Sequence, residues 1–239
     1  MAKSPQKPPF VSNNRLLSAL NRADRSLIIP HLEAVELPLR QMLEQVKKPV
    51  QHVYFMEAGI ASVVANGNGN REVEVGIIGR EGVTGTSVIL GADYPTNQTY
   101  IQVAGQGQRI TAARLTDLMD RSPTLRRLLL RFVHVFMTHL ARTAFANGRE
   151  TIEARLARWL LMAHDRLDGD EVPLTHEFLA IMLGSTRPGV TAVLQSLEGK
   201  QLISLHRKRI TVADRSGLEK ASNGSYGMAE AELNRLTAG

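Results

Sequence analysis

A chain of 239 residues with a net charge of +6 and no cysteine can hold one large or two small packed domains. The missing thiols exclude disulfides, thiolate zinc sites, Cys-ligated iron–sulfur clusters and cysteine nucleophiles together. Hydrophobic residues make up 43%, and no apolar run approaches the ~18–20 residues that span a bilayer; a cytoplasmic protein without membrane attachment is expected, and its basic excess is compatible with a polyanionic partner.

Residues 1–12 are basic and Pro-rich with no apolar run behind them, which predicts a disordered leader rather than a signal peptide. Short helices are expected over 13–21 and 24–34, from Leu16, Leu17 and Leu20 and then Leu27, Ile28 and Leu32, with Pro30 arguing for a break. From Val35 to Ile110 the texture turns to short β segments, at 53–55, 60–65, 73–78, 99–103 and 108–110. The second and third alternate around Asn66-Gly67-Asn68-Gly69-Asn70, a hairpin signal. Many short strands with glycine turns predict a small barrel or jelly roll.

Over 125–146 the period becomes helical, and Leu125, Leu128, Leu129, Phe132, Val135, Phe136, His139 and Leu140 form one apolar stripe. Asn147-Gly148 is expected to end or kink this helix. A second helix is expected over 152–166, carrying Leu156, Trp159, Leu160 and Ala163. The chain contains no nucleophile elbow, HExxH pair, phosphate-binding loop or dinucleotide fingerprint, so an enzyme is not expected.

Residues 174–213 read LTHEFLAIMLGSTRPGVTAVLQSLEGKQLISLHRKRITVA. Thr175 can cap a short helix and Gly184 suits a tight turn. Ser185 or Thr186 can cap a second helix whose first turn tolerates Pro188. Leu179, Leu183, Val190, Leu194 and Leu197 supply the buried faces. Two helices joined by such a turn form a helix-turn-helix. A strand, the basic tip His206-Arg207-Lys208 and a second strand from Arg209 then form a wing. Bases gather at the start of the second helix (Arg187) and at the wing tip, where duplex DNA would touch, and a helix start also offers free N–H groups to phosphate. Double-stranded DNA is therefore the expected partner. The rival reading is a ligand-binding signalling module whose helix-turn-helix serves protein contacts.

This segment resembles the C-terminal domain of the cyclic-AMP receptor protein / fumarate–nitrate regulator (Crp/Fnr) family of bacterial transcription regulators. The resemblance extends over almost the whole chain, since His52-Val53-Tyr54-Phe55 to Gly82 looks like the family's cyclic-nucleotide-binding-type β-roll and 123–147 looks like its dimerisation helix. It implies an α+β fold: a β-roll sensor over 13–122, a long dimerisation helix over 123–148, a winged helix-turn-helix over 149–220 and a C-terminal tail over 221–239. It implies a homodimeric DNA-binding regulator, with RNA polymerase as a possible further partner. Arg187 takes the place of the family's base-reading arginine, Thr175 and Thr186 those of phosphate-contacting hydroxyls, and His206 and Lys208 those of wing residues. Ser185, Thr191, Arg207 and Arg209 complete the expected DNA-contacting set. Pro188 and Ala192 replace two further base readers, so a different operator is expected.

In family members that bind cyclic nucleotides, Gly-Glu and Arg-Ser/Thr pairs hold the ribose and phosphate. The matching positions here are Gly85-Thr86 and Asn97-Gln98, which lack both the carboxylate and the cation. Cyclic AMP binding in that manner is not expected, because an unpaired phosphate is costly to bury, and no cofactor or metal is identified. His134, His139, His52 and His31 read as structural or surface groups rather than haem ligands. The stripe through Leu125, Leu129, Phe132 and Phe136 is read as the dimer seam, with the lining of a ligand pocket as the alternative.

Overall fold

The computed structural model describes residues 11–67, 72–174 and 176–237. Most of the expected leader, the turn residues Asn68-Gly69-Asn70, and Thr175 lie outside the described residues.

Asn14 anchors the first described helix. Its side chain accepts from the N–H groups of Leu16 and Leu17, capping α1 (Arg15–Ala19), and donates to the carbonyls of Met56 and Gly82 at 2.9 and 2.7 Å. A buried amide with all its partners fixes the helix on the strands behind it. Helix α2 (Arg22–Ile28) stops short of the expected residue 34. Pro30 allows only a 3-10 turn over Ile29–His31, and strand β1 (Glu33–Leu37) begins directly after it.

Six more antiparallel strands follow: β2 (Met42–Glu44), β3 (His52–Met56), β4 (Ile60–Asn66), β5 (Glu72–Ile78), β6 (Gln98–Val103) and β7 (Gly105–Thr111). They form two sheets, in the orders β2-β6-β4-β5 and β1-β7-β3. Helix α3 (Thr86–Ile89) bridges β5 and β6, and α4 (Ala112–Arg121) leads to the long α5 (Pro123–Arg149).

Helix α5 lies across the roll. Gly76 and Gly82 make the close approach possible, because a Cβ at Gly76 would sit 3.0 Å from the Phe136 ring and one at Gly82 would collide with Phe132. The stripe expected as the dimer seam packs inward within the single chain. Leu125, Leu129, Phe132 and Phe136 are 1%, 0%, 3% and 7% exposed and share one core with Phe55, Ile101 and Leu118 of the same chain. An apolar stripe packs against the nearest apolar layer, and here that layer is the chain's own roll. Asn147-Gly148 lies in the last turn of the helix, which runs to Arg149 before Glu150 turns extended and Thr151 caps the next one.

The remaining elements are α6 (Ile152–His164), β8 (Glu171–Val172), α7 (His176–Met182), α8 (Arg187–Gly199), β9 (Ile203–His206), β10 (Arg209–Val212), α9 (Arg215–Ala221) and α10 (Met228–Thr237). Their core holds Leu156, Trp159, Leu194 and Ile210 together with Ile60, Ile77 and Val103 of the roll. The four-stranded sheet is thus buried on both faces: Ile78 points into the first core and Ile77 into the second. The expected C-terminal tail contains a packed helix. Ala229 and Leu233 of α10 are buried, and His134 of α5 pairs with Glu232 at 3.2 Å. No described helix is long and apolar enough to cross a membrane.

Candidate nucleic-acid interface

Helices α7 and α8 are joined by a turn centred on Gly184, whose φ of +54° lies in the left-handed region that glycine tolerates. The Ser185 N–H closes the turn on the Ala180 carbonyl at 2.9 Å. Of the two candidate caps, Thr186 is the one used: its hydroxyl accepts from the Gly189 N–H at 3.3 Å, and Pro188 occupies the first helical turn. Val190, Leu194 and Leu197 bury one face of α8. Arg187 and Pro188 stay exposed at its start, and Ser185 is half-buried. The Thr191 hydroxyl donates to the Arg187 carbonyl at 3.0 Å.

The wing is a two-strand hairpin in which His206 pairs with Arg209 and Leu205 with Ile210. Ile203 and Ile210 hold it to the second core. Lys208 takes φ +62° at the tip. His206, Arg207, Lys208 and Arg209 are all exposed. Arg209 is held by Glu171 at 3.3 Å across the β8–β10 edge.

Acids near the motif are spent internally. Glu153 on α6 takes Lys200 at 2.5 Å and the Ser196 hydroxyl at 3.0 Å, and the Lys200 hydrogen bond holds its carboxyl below the usual range. Glu198 accepts the Leu205 N–H at 2.7 Å. The side chains of Arg187, Arg207 and Lys208 make no hydrogen bond or ion pair among the described residues. The motif therefore presents positive charge at the N-terminus of α8 and at the wing tip.

The expected effector residues are only partly gathered. Thr86 and Asn97 line a cavity of about 300 Å³ between the roll and α5. Gly85 sits behind it and donates its N–H to the buried Glu44 carboxylate at 2.8 Å. Gln98 does not line this cavity; its amide binds Glu72 at 2.9 Å. Sequence reading missed Glu44, because a lone acid in a three-residue strand carries no periodic signal.

The histidines are scattered. His139 is buried, stacked on Phe136 with centroids 6.0 Å apart, and accepts from the Ile77 N–H at 3.4 Å. Burial, with Arg166 and Arg158 nearby, holds its pKa well below the usual histidine value. His134 is exposed on another side of the helix.

Residues 154–221 match the Crp-like helix-turn-helix domain family. The chain is 26% identical over 177 residues to the global nitrogen regulator of Nostoc sp. strain PCC 7120, across 69% of this chain and 78% of that one. Among solved structures it resembles a Crp/Fnr-family transcriptional regulator from Eubacterium rectale, with a TM-score of 0.68, 18% identity, and coverage of 87% and 98% of the two chains. It also resembles FixK2 from Bradyrhizobium japonicum, with a TM-score of 0.68, 15% identity, and coverage of 80% and 96%.

Proposed function

We propose that the chain is a DNA-binding transcription regulator of the Crp/Fnr type, acting as a homodimer that reads a two-fold symmetric operator. The carrying observation is the pairing of unneutralised cations, Arg187 at the start of α8 and Arg207 with Lys208 at the wing tip. On this reading Arg187 reads a base edge in the major groove. Thr175, Ser185, Thr186, Thr191 and the wing residues His206, Arg207, Lys208 and Arg209 lie against the backbone.

The dimer seam is proposed on a different face of α5 from its core stripe. Leu130, Met137 and Phe145 are 40%, 61% and 46% exposed. At 100° per residue they form one stripe with Ala141, turned well away from Phe132 and Phe136. Helix α10 meets α5 beside this stripe, through His134 and Arg131. An effector is proposed to bind between the roll and this helix, in the cavity that Thr86 and Asn97 line, and to shift the population of two dimer arrangements. RNA polymerase is a proposed further partner, and the cytoplasm the proposed location.

The test is selection of genomic fragments by the purified protein, followed by footprinting and sedimentation. A symmetric protected site with half-sites about 34 Å apart, bound by two chains, is the expected result. A monomer bound to one half-site would overturn the dimer. Binding without sequence preference would favour the rival reading in which the motif serves protein contacts.

A further inference from the structure

The cavity between the roll and α5 has a one-sided chemistry. Its walls are largely apolar, from Val63 and Ile78 on the strands, Leu90 on the connecting loop and Val133, Phe136 and Leu140 on α5, with neutral polar groups such as Thr86 and Asn97 among them. No Arg, Lys or His is among its lining residues. Its charged group is Glu44, which is 6% exposed. The donors to that carboxyl are neutral: the Gly85 N–H at 2.8 Å and the Thr99 hydroxyl. Burial outweighs them and pushes the carboxyl above the usual range. On the same lining, the Ser87 hydroxyl is buried without a hydrogen-bond partner.

A buried carboxylate is normally paired with a cation. Here the lining supplies none, and the empty space next to it is large enough for a small organic molecule. An anion would find no counter-charge here and would disfavour the ionised form of Glu44 still further. An ammonium group would supply the missing charge, and a second N–H could reach the idle Ser87 oxygen. Its hydrocarbon part would lie on Val133, Phe136 and Leu140.

We propose that this cavity takes a small, largely apolar ligand bearing a protonated amine directed at Glu44, an inference that rests on the effector reading above and adds the charge of the ligand. The occupant would also touch Met137, which lines the cavity and stands on the exposed stripe of α5. Occupancy and dimer packing would thereby share one side chain.

Four probes of similar or known chemistry test this on the full chain near neutral pH: benzylamine, benzyl alcohol, benzoate and cyclic AMP, each followed by the shift of the unfolding midpoint and by calorimetric titration. Benzylamine should bind about tenfold tighter than benzyl alcohol, the margin of a charge-assisted over a neutral hydrogen bond. Benzoate and cyclic AMP should give no shift. Glu44→Gln should bring benzylamine down to parity with benzyl alcohol. Should that variant fail to fold, Thr96→Lys on the exposed rim should weaken benzylamine by placing like charge at the mouth. Benzyl alcohol, benzoate or cyclic AMP binding as tightly as benzylamine would overturn the charge assignment and leave an effector cavity standing. If none of the four binds, the inference and the effector role of this cavity both fall. A gel shift on the same sample reports separately on DNA binding.

Discussion

The indole Nε1 of Trp159 donates a 2.6 Å hydrogen bond to Oε1 of Glu74. It ties α6, the first helix after α5, to strand β5 of the roll. Ser62 donates to the other oxygen of Glu74 at 2.5 Å. The carboxyl is fully buried between the two layers. The contact is a polar point in an otherwise apolar junction formed by Ile60, Ile77 and Val103 with residues of α6 and α7.

That junction should respond to pH. Burial pushes the Glu74 carboxyl from 4.5 up to about 7, against the lowering effects of Ser62, Trp159, Arg166 and Arg158. The folded state therefore holds a proton that the unfolded chain releases above about pH 4.5. Stability from this group is fully present below that pH and is lost as pH rises through about 7. The amount is on the order of 3 kcal/mol at ~1.4 kcal/mol per unit. Glu74→Gln, which mimics the neutral acid, should remove this slope. Denaturant unfolding at about pH 5 and about pH 8 checks it; a wild-type-minus-variant difference that does not change with pH would sink the assignment.

His139 acts with the opposite sign. Its folded pKa is depressed by burial. Stability from it is present above the unfolded value of 6.5 and is lost as pH falls through the depressed folded value. His139→Gln, which keeps an acceptor for the Ile77 N–H, should flatten that acid-side loss. Thermal midpoints across the acid range measure it, and an unchanged acid limb would count against a neutral buried imidazole.

The two faces of α5 should separate fold from assembly. Leu130→Glu with Met137→Glu should give a monomer with an unchanged circular-dichroism spectrum, because both side chains are exposed in the single chain. Phe132→Ala should instead cost about 3–5 kcal/mol of stability, the usual result of emptying an aromatic core site, and whatever remains folded should stay dimeric. Light scattering with denaturant titration distinguishes them. A dimeric double variant would remove the proposed seam.

At the DNA, Arg187→Ala should cost about 1–3 kcal/mol and relax preference at one base pair per half-site. Lys208→Ala should weaken all sequences alike and lower the salt slope by about 0.9 for each phosphate that is no longer neutralised. Competition assays at several salt concentrations read both. Equal weakening of specific and random DNA by both variants would mean that Arg187 reads no base.

The sequence announces some of this architecture plainly. Gly184, the Thr186 cap and Pro188 sit together in a short stretch whose turn chemistry admits few alternatives, so the helix-turn-helix and wing stand where their residues place them. The strands from β3 to β7 follow from alternation and glycine turns. The faces of α5 do not follow. A helical period reveals a stripe such as Leu125, Leu129, Phe132 and Phe136 but not what covers it, and the exposed Leu130, Met137 and Phe145 look weaker because they are more widely spaced. Glu44 and Glu74 are invisible for another reason: burial of a charge is decided by distant chain segments, and local composition carries no trace of them. Helix α10 hides within an expected tail because its two buried residues, Ala229 and Leu233, make too short a stripe to stand out.

The sharing of Ile60, Ile77 and Val103 between the roll and the DNA-binding half bears on synthesis. When the ribosome has made the seven strands, the outer face of the four-stranded sheet has no cover. Its cover begins to arrive only with Leu156 and Trp159, after the whole of α5 has emerged, and α7 completes it. For that interval of some fifty residues, a few seconds at about 5–20 residues per second, the nascent chain carries an open apolar sheet that holdase chaperones would bind and that neighbouring nascent chains could pair with. Expression of the roll alone, cut after α5, should consequently yield aggregation-prone protein even though its own core is complete.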